Sequence, residues 1–373
     1  MIPLPERPRT QLQSAIAQGA TRPAHSEAPV SFFEFWPGWL FYFPVVVHWL
    51  LLGLRHWCWS LPTAANPRIT TGGLCGESKL SILRQVRPEG ASLVARTTGV
   101  VARSDGGDAA EAAMRAAELA WPVVVKPDIG CNGTGVRLLH DRAALDRYLR
   151  DFPAGETIVL QRFVEAPNEA GLFYVRHPDE PEGRVTSVTL KRPPVVVGDG
   201  RSTLRQLVLA DPRAGKVSHL YLPRLQGRLE TVPAQGEPVQ LVFVGNHCKG
   251  SVFENGAELI TPALTQAVDR LAKTVPDFHF GRIDVRFESL GLLRRGEGFT
   301  VIEINGVGSE ATHIWDPRTR LWDAWKAQFF HYGAAFRIGA ANRRRGFAPA
   351  GVREMYRDWM RQRRLMASYP LND

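Results

Sequence analysis

Two segments about 160 residues apart constrain this chain more than anything else in it. WPVVVKPDIGCNGTGV, Trp121–Val136, ends an apolar run on Lys126 and passes into a glycine-rich loop. GRIDVRFE, from Gly281, and FTVIEINGVGSE, ending at Glu310, read as two strands; the first carries Asp284, the second Glu303 and Asn305. Residues two apart on a strand share a face, so Glu303 and Asn305 point the same way. A lysine beside a glycine loop holds phosphates, and an Asp, Glu and Asn oxygen set holds a hard divalent cation. Together the segments point to a site for a magnesium-bound nucleoside triphosphate.

At 373 residues the chain has room for one large domain or two lobes. GDAAEAAMRAAELA from Gly107 reads as an amphipathic helix stopped by Trp121-Pro122, and Val123–Lys126 as a strand. Beyond the loop come a strand (VRLLH), a helix (DRAALDRYLRDF, with Leu145 and Leu149 one turn apart) and a third strand, ETIVLQRFVE. AGLFYVRHP and RVTSVTLKRPP read as a hairpin pair. The alternation is α/β in character, but antiparallel later strands exclude a plain doubly wound sheet.

The net charge of +9 is unevenly placed: nine arginines and two acids lie between Arg337 and Arg364. Such a cluster faces anionic lipid, nucleic acid or solvent. No aromatic-interleaved RNA motif or zinc-finger spacing accompanies it, so no nucleic-acid partner is expected. Four cysteines without paired spacing read as free thiols in a reducing compartment.

Residues 1–30 lack periodicity and read as a mobile tail. From Trp36 to Leu54 there follow 19 residues without Asp, Glu, Lys or Arg, the length needed to cross a bilayer core. Three readings stand: a buried core helix, a single membrane span, and a re-entrant or in-plane anchor. Tryptophans near the ends suit a membrane interface. Pro37 and Pro44, expected to interrupt helical bonding, and basic residues on both sides favour a segment that enters and leaves by one face. The expected location is the cytoplasmic face of a membrane. NPRITTGGLCGESKLSIL, after it, reads as turns and then a helix; its GESK cluster binds an anion or merely caps that helix.

The helix, VVVKP strand and glycine loop, the strand ending LQRFVE, and the GRIDV…EIN pair resemble the ATP-grasp fold over roughly 107–338. Within it they are most similar to the D-alanine–D-alanine ligase branch. The resemblance implies an α/β (α+β) protein whose two lobes hold the nucleotide between antiparallel-rich sheets, preceded here by the hydrophobic segment. It implies Lys126 on the α- and β-phosphates, and a loop including Gly130, Gly133, Thr134 and Gly135 over the β- and γ-phosphates. Gln161 and Val164 would lie on the strand that receives adenine, Glu169 just before the LFYVR strand would bond the ribose, and Lys191 would serve as a further lysine. Arg282 would stabilise the acyl phosphate, and Asp284, Glu303 and Asn305 would hold Mg2+ or Mn2+. From the residues alone, Lys126 as a solvated strand end and Arg282–Asp284 as a plain ion pair remain open. His247 and Lys249 line an acceptor site or a surface hairpin.

The departures bear on substrate. The full N-terminal substrate domain of those ligases is replaced by the tail, hydrophobic segment and connector. Cys131-Asn132 stands where they carry paired serines, and VVVGDGRSTLRQLV resembles an insert of cyanophycin synthetases and related amino-acid ligases. The expected activity is ATP-dependent joining of a carboxylate to an amine, either one a small molecule or lipid-linked, through an acyl phosphate. A phosphotransferase and a tethered nucleotide-binding scaffold are the alternatives. The expected divisions are a tail (1–30), a hydrophobic segment (31–60), a connector (61–106), an N-terminal lobe (107–200), a C-terminal lobe with the metal site (201–340) and a basic helix or tail (341–373).

Overall fold

The computed structural model describes residues 30–371 apart from 244 and 246–249. His247, Lys249 and, save its last residue, the tail expected over 1–30 lie outside the described residues.

The uncharged segment forms one helix, α1 (Gly38–His56), which runs on through Pro44. The expected interruption does not occur; proline withholds one backbone donor without breaking this helix. Phe41, Val45 and Gly53 are buried, while Trp39, Phe43, Val46, Val47, Leu50, Leu51 and Leu54 are exposed. The buried-core reading of this segment is therefore overturned. A short helix, α2 (Lys79–Arg84), follows, its N-terminus capped where Ser78 Oγ accepts from the Ser81 N–H.

The smaller sheet has strands β1 (Thr97–Val101), β2 (Val123–Pro127), β3 (Arg137–Leu139) and β4 (Thr157–Arg162) in the order β1-β4-β2-β3, all antiparallel. Helices α3 (Gly107–Ala116) and α4 (Arg142–Asp151) cover one face through Ala110, Met114, Leu145, Tyr148 and Leu149. Those positions recur every three or four residues, as a helix burying one stripe requires.

The larger sheet contains β5 (Asn168–Val175), β6 (Arg184–Arg192), β9 (Val252–Asn255), β10 (Phe280–Phe287) and β11 (Phe299–Asn305), in the order β11-β10-β5-β6-β9. Between β6 and β9, β7 (Val195–Val197), helix α5 (Leu204–Ala210) and β8 (Pro238–Gln240) form a small subdomain with its own apolar cluster. The expected fold class, with antiparallel sheets in two lobes and an apolar helix before them, is what the structure shows. The boundary expected at residue 200 is not where the sheets divide. Strands β5 and β6 pair with β10 and β9, so the division falls between β4 and β5, and β1 draws part of the expected connector into the small sheet.

Helix α6 (Pro262–Lys273) covers one face of the larger sheet through Leu264, Val268 and Leu271. The long helix α7 (Leu321–Arg344) covers the Phe173–Phe280 end of the other face, leaving the rest open toward the small sheet. Helix α1 lies along α7: the indole of Trp325 donates to the Phe41 carbonyl, Trp49 packs on Tyr332 and Phe336, and Arg343 reaches the His56 carbonyl. The last helix, α8 (Val352–Ser368), crosses back to the small sheet, where Leu365, Met366 and Tyr369 join its core.

Candidate active site

A cleft of about 670 Å³ separates the two sheets. Strand alternation decides what faces it. Along β2, Val123 and Val125 enter the core beneath α3 and α4, so Val124 and Lys126 turn to the cleft. Along β10, Ile283, Val285 and Phe287 enter the core over α6, so Arg282, Asp284 and Arg286 turn to the cleft. Asp284 stands opposite Glu303 and Arg282 opposite Asn305, which puts all four on one face.

Lys126 is 8% exposed. Its Nζ donates to Gln161 Oε1 at 2.8 Å and to the Ile302 carbonyl at 3.2 Å, and no ion pair with it occurs among the described residues. Burial holds this ammonium below the usual lysine range, against the pull of Glu303. The Ile302 carbonyl is available because β11 carries a bulge. Asp284 faces Glu303 while Val285 faces Val301, so Ile302 is the extra residue. Gln161, 1% exposed, also donates to that carbonyl, at 3.1 Å.

Asp284 Oδ1 lies 2.9 Å from Arg282 Nε and 3.0 Å from Lys191 Nζ, and Asn305 Nδ2 donates to its Oδ2 at 3.3 Å. Burial alone would raise the Asp284 carboxyl; Arg282 and Lys191 outweigh burial and hold it below the usual range. Burial likewise opposes charge on Lys191, yet Asp284 and Glu169 hold it above the ordinary lysine value. Room for this group exists because residue 171 is glycine, where a Cβ would come within 2.9 Å of Arg282 Cδ. Glu169 sits inside β5, not before it as expected, 3.1 Å from Lys191 and 3.8 Å from Arg286.

The glycine loop closes one end of the cleft. Gly130, Gly133 and Thr134 line it; Asn132 and Gly133 have φ of 56° and 65°, which a bulkier chain adopts only under strain. Gly135 does not line the cleft: its carbonyl accepts from the Tyr148 hydroxyl at 2.8 Å, and its α-carbon packs beneath Pro127 and Tyr369. Val164 lines the cleft just beyond the end of β4.

Further residues line the cleft beyond the expected site. Lys79, in the GESK cluster, donates to the Gly130 carbonyl and lies 3.7 Å from Glu303 Oε1, while Ser78 of the same cluster caps the following helix, as one of its two readings expects. Glu77 lines the cleft beside it, with one buried carboxylate oxygen unpartnered; burial raises its carboxyl above the usual range. Tyr42, from the apolar helix, and Glu310 meet at the opposite end. Nothing in the local sequence marks either, because they are 268 residues apart.

No protein-family description matches the chain, and no curated protein does. Among solved structures it is similar to a bifunctional glutathione synthetase from Pasteurella multocida, 18% identical with a TM-score of 0.34, over 67% of this chain and 35% of that one. It is similar to the VanG D-Ala:D-Ser ligase from Enterococcus faecalis, 13% identical with a TM-score of 0.41, over 73% of this chain and 63% of that one. A D-alanine–D-alanine ligase from Bacillus anthracis is 15% identical with a TM-score of 0.41, over 74% of this chain and 70% of that one. The chain thus spans 35% and 63% of the lengths of the first two.

Proposed function

We propose that this chain is an ATP-dependent ligase of the ATP-grasp kind, joining a carboxylate to an amine at a membrane surface. One observation carries the reading: a buried lysine ammonium, with no acidic partner among the described residues, faces the Asp284, Glu303 and Asn305 oxygens across a cleft. A buried unpaired cation is unfavourable for folding alone, and a phosphate ligand removes the penalty.

The donor set suits a hard cation, since three oxygen-bearing side chains lie on one sheet face; Asp284 would exchange its contacts with Arg282 and Lys191 for the ion. Asp284, Glu303 and Asn305 would hold Mg2+, which when bound supplies neutralising charge to the triphosphate. Lys126 binds phosphate oxygens, and the loop from Gly130 to Thr134 directs backbone N–H groups at them and excludes water. A substrate carboxylate oxygen bonds to the γ-phosphorus as the bond to ADP breaks. Arg282 stabilises the resulting acyl phosphate. The amine nitrogen then bonds to the acyl carbon, phosphate leaves, and the amine's surplus proton passes to solvent.

The membrane part of the proposal rests on α1. Its exposed face is apolar, Trp39 and Trp57 lie toward its ends, and Arg343, beside Arg344 and Arg345, donates to the carbonyl of its last residue, His56. Contact with α7 along the length of α1 favours an in-plane anchor over a span. The cytoplasmic face follows from the ATP requirement.

Hydroxylamine tests the chemistry. It captures an acyl phosphate as a hydroxamate, so hydroxamate formed with ATP, Mg2+ and pooled carboxylates supports the ligase. ADP release without hydroxamate or any amine dependence would leave a phosphotransferase, and no ADP release at all a scaffold.

A further inference from the structure

The end of the cleft beyond Arg282 changes character. Arg282 Nη1 donates to the backbone carbonyl of Glu310 at 3.2 Å, so the guanidinium stands between Asp284 and this second acid. The Glu310 carboxylate is held by three neutral donors: the Trp315 indole at 2.8 Å on Oε1, and on Oε2 the Tyr42 hydroxyl at 2.9 Å and Gln328 Nε2 at 2.7 Å. No ion pair to it occurs among the described residues, whereas Glu169, Asp284 and Glu303 each have a cation nearby. Trp36, Tyr42 and Trp315 belong to one aromatic cluster that lines this end. Tyr332 lines the same cleft, and burial first, then the Glu310 charge, raises its hydroxyl above the usual tyrosine range. Thr312, 7% exposed, lines the same cleft with its hydroxyl unpartnered.

Neutral donors orient a carboxylate without cancelling its charge, and a carboxylate accepts about four hydrogen bonds, so roughly one remains here. Aromatic walls exclude water and attract cations through their faces. We propose that Glu310, with its aromatic surround, is the recognition site for the acceptor amine, taken as a protonated primary ammonium. This rests on the ligase reading for its place in the reaction, but the binding chemistry is testable by itself. The ammonium would enter on the Arg282 side away from the nucleotide and give one proton to the Glu310 carboxylate, which frees the nitrogen lone pair that attacks the acyl carbon. Because Tyr42 belongs to α1, the helix that turns an apolar face outward also builds the amine site on its inner side. The amine has two possible sources, a soluble molecule or a lipid headgroup.

The test is calorimetric titration of the full-length protein with n-hexylammonium chloride, with n-hexanol as its neutral counterpart. A second arm uses dihexanoyl phosphatidylethanolamine below its micellar concentration. We expect saturable ammonium binding at least about tenfold tighter than the alcohol, lost by about tenfold or more in Glu310→Gln and weakened less in Tyr42→Phe, which keeps the ring and removes one donor. Glu310-dependent binding in either arm supports the site, and the tighter arm names the source. Equal affinity for ammonium and alcohol, or undiminished binding in a folded Glu310→Gln protein, overturns it. Should that variant not fold, charge-indifferent binding by wild type, or tighter binding in Tyr42→Phe, does so instead. Charge preference with no hydroxamate would retain the amine site and remove the ligase reading; hydroxamate with no charge preference would do the reverse.

Discussion

Lys126 Nζ donates to the carbonyl of Ile302 at 3.2 Å, so the small sheet touches the larger one through a charge and a bulge. If the lysine serves phosphate binding, its burial opposes stability. Lys126→Met is then expected to weaken nucleotide binding by about 100-fold, while unfolding free energy holds or rises by about 1 kcal/mol. Isothermal titration with ATP and urea unfolding read the two effects separately. A loss of more than about 2 kcal/mol would make the contact a structural tie instead.

Asp284 and Glu303 face each other, yet their removal has unequal consequences. Asp284 neutralises two buried cations, so Asp284→Asn is expected to cost about 3 kcal/mol of stability. Glu303 is more exposed than Asp284 and lies 3.7 Å from Lys79, beyond hydrogen-bond distance, so Glu303→Gln is expected to cost less than about 1 kcal/mol. Both substitutions should abolish magnesium-dependent ADP release. Full turnover by Glu303→Gln would refute its place in the metal site.

Much of this was legible from residue order. Alternation along VVVKP and GRIDV fixes which side chains leave the core, and those two strings supplied the floor and one wall of the cleft. Spacing within a loop does not tell a lining glycine from one packed beneath Tyr369, as Gly135 is. The division between sheets is hidden from residue order because hairpin β5–β6 follows the small sheet directly in sequence but pairs with the later strands β10 and β9. Tyr42 was invisible for a different reason. An apolar helix reads by its average, and a single hydroxyl on its inner side does not alter that average.

Two histidines set a pH dependence. His279 and His331 are each 4% exposed, and burial lowers both from the ordinary 6.5 to about 4. Between those values the unfolded chain binds protons that the folded sites refuse, so stability falls as pH drops from 6.5 to about 4. The loss approaches about 3 kcal/mol per histidine and is constant below that range. Urea unfolding across this range should give a flatter slope for His331→Gln than for wild type; an unchanged slope would contradict the assignment.

Replacing Phe43, Leu50, Leu51 and Leu54 together with serine should abolish cosedimentation with anionic vesicles. Each side is exposed, so stability should change little, within about 0.5 kcal/mol per site. Wild-type sedimentation by that variant would exclude α1 as the anchor. Substituting Arg343, Arg344 and Arg345 with glutamine should weaken binding more at low salt than at high salt.

Helix α8 gives the glycine loop an unusual history. Tyr369 donates to the Ile129 carbonyl at 2.7 Å, Met366 and Tyr369 cover Gly130, Met366 contacts Cys131, and Gln362 ties Gly76 to the same helix. A loop that would otherwise sample many conformations is thus ordered before any nucleotide arrives. The entropy lost in ordering it belongs to folding, not to binding. Nucleotide association should accordingly be less opposed by entropy than with a loop that orders only around its ligand. Removing residues 352–371 should return that penalty to the binding step, seen as weaker affinity with a less favourable entropy.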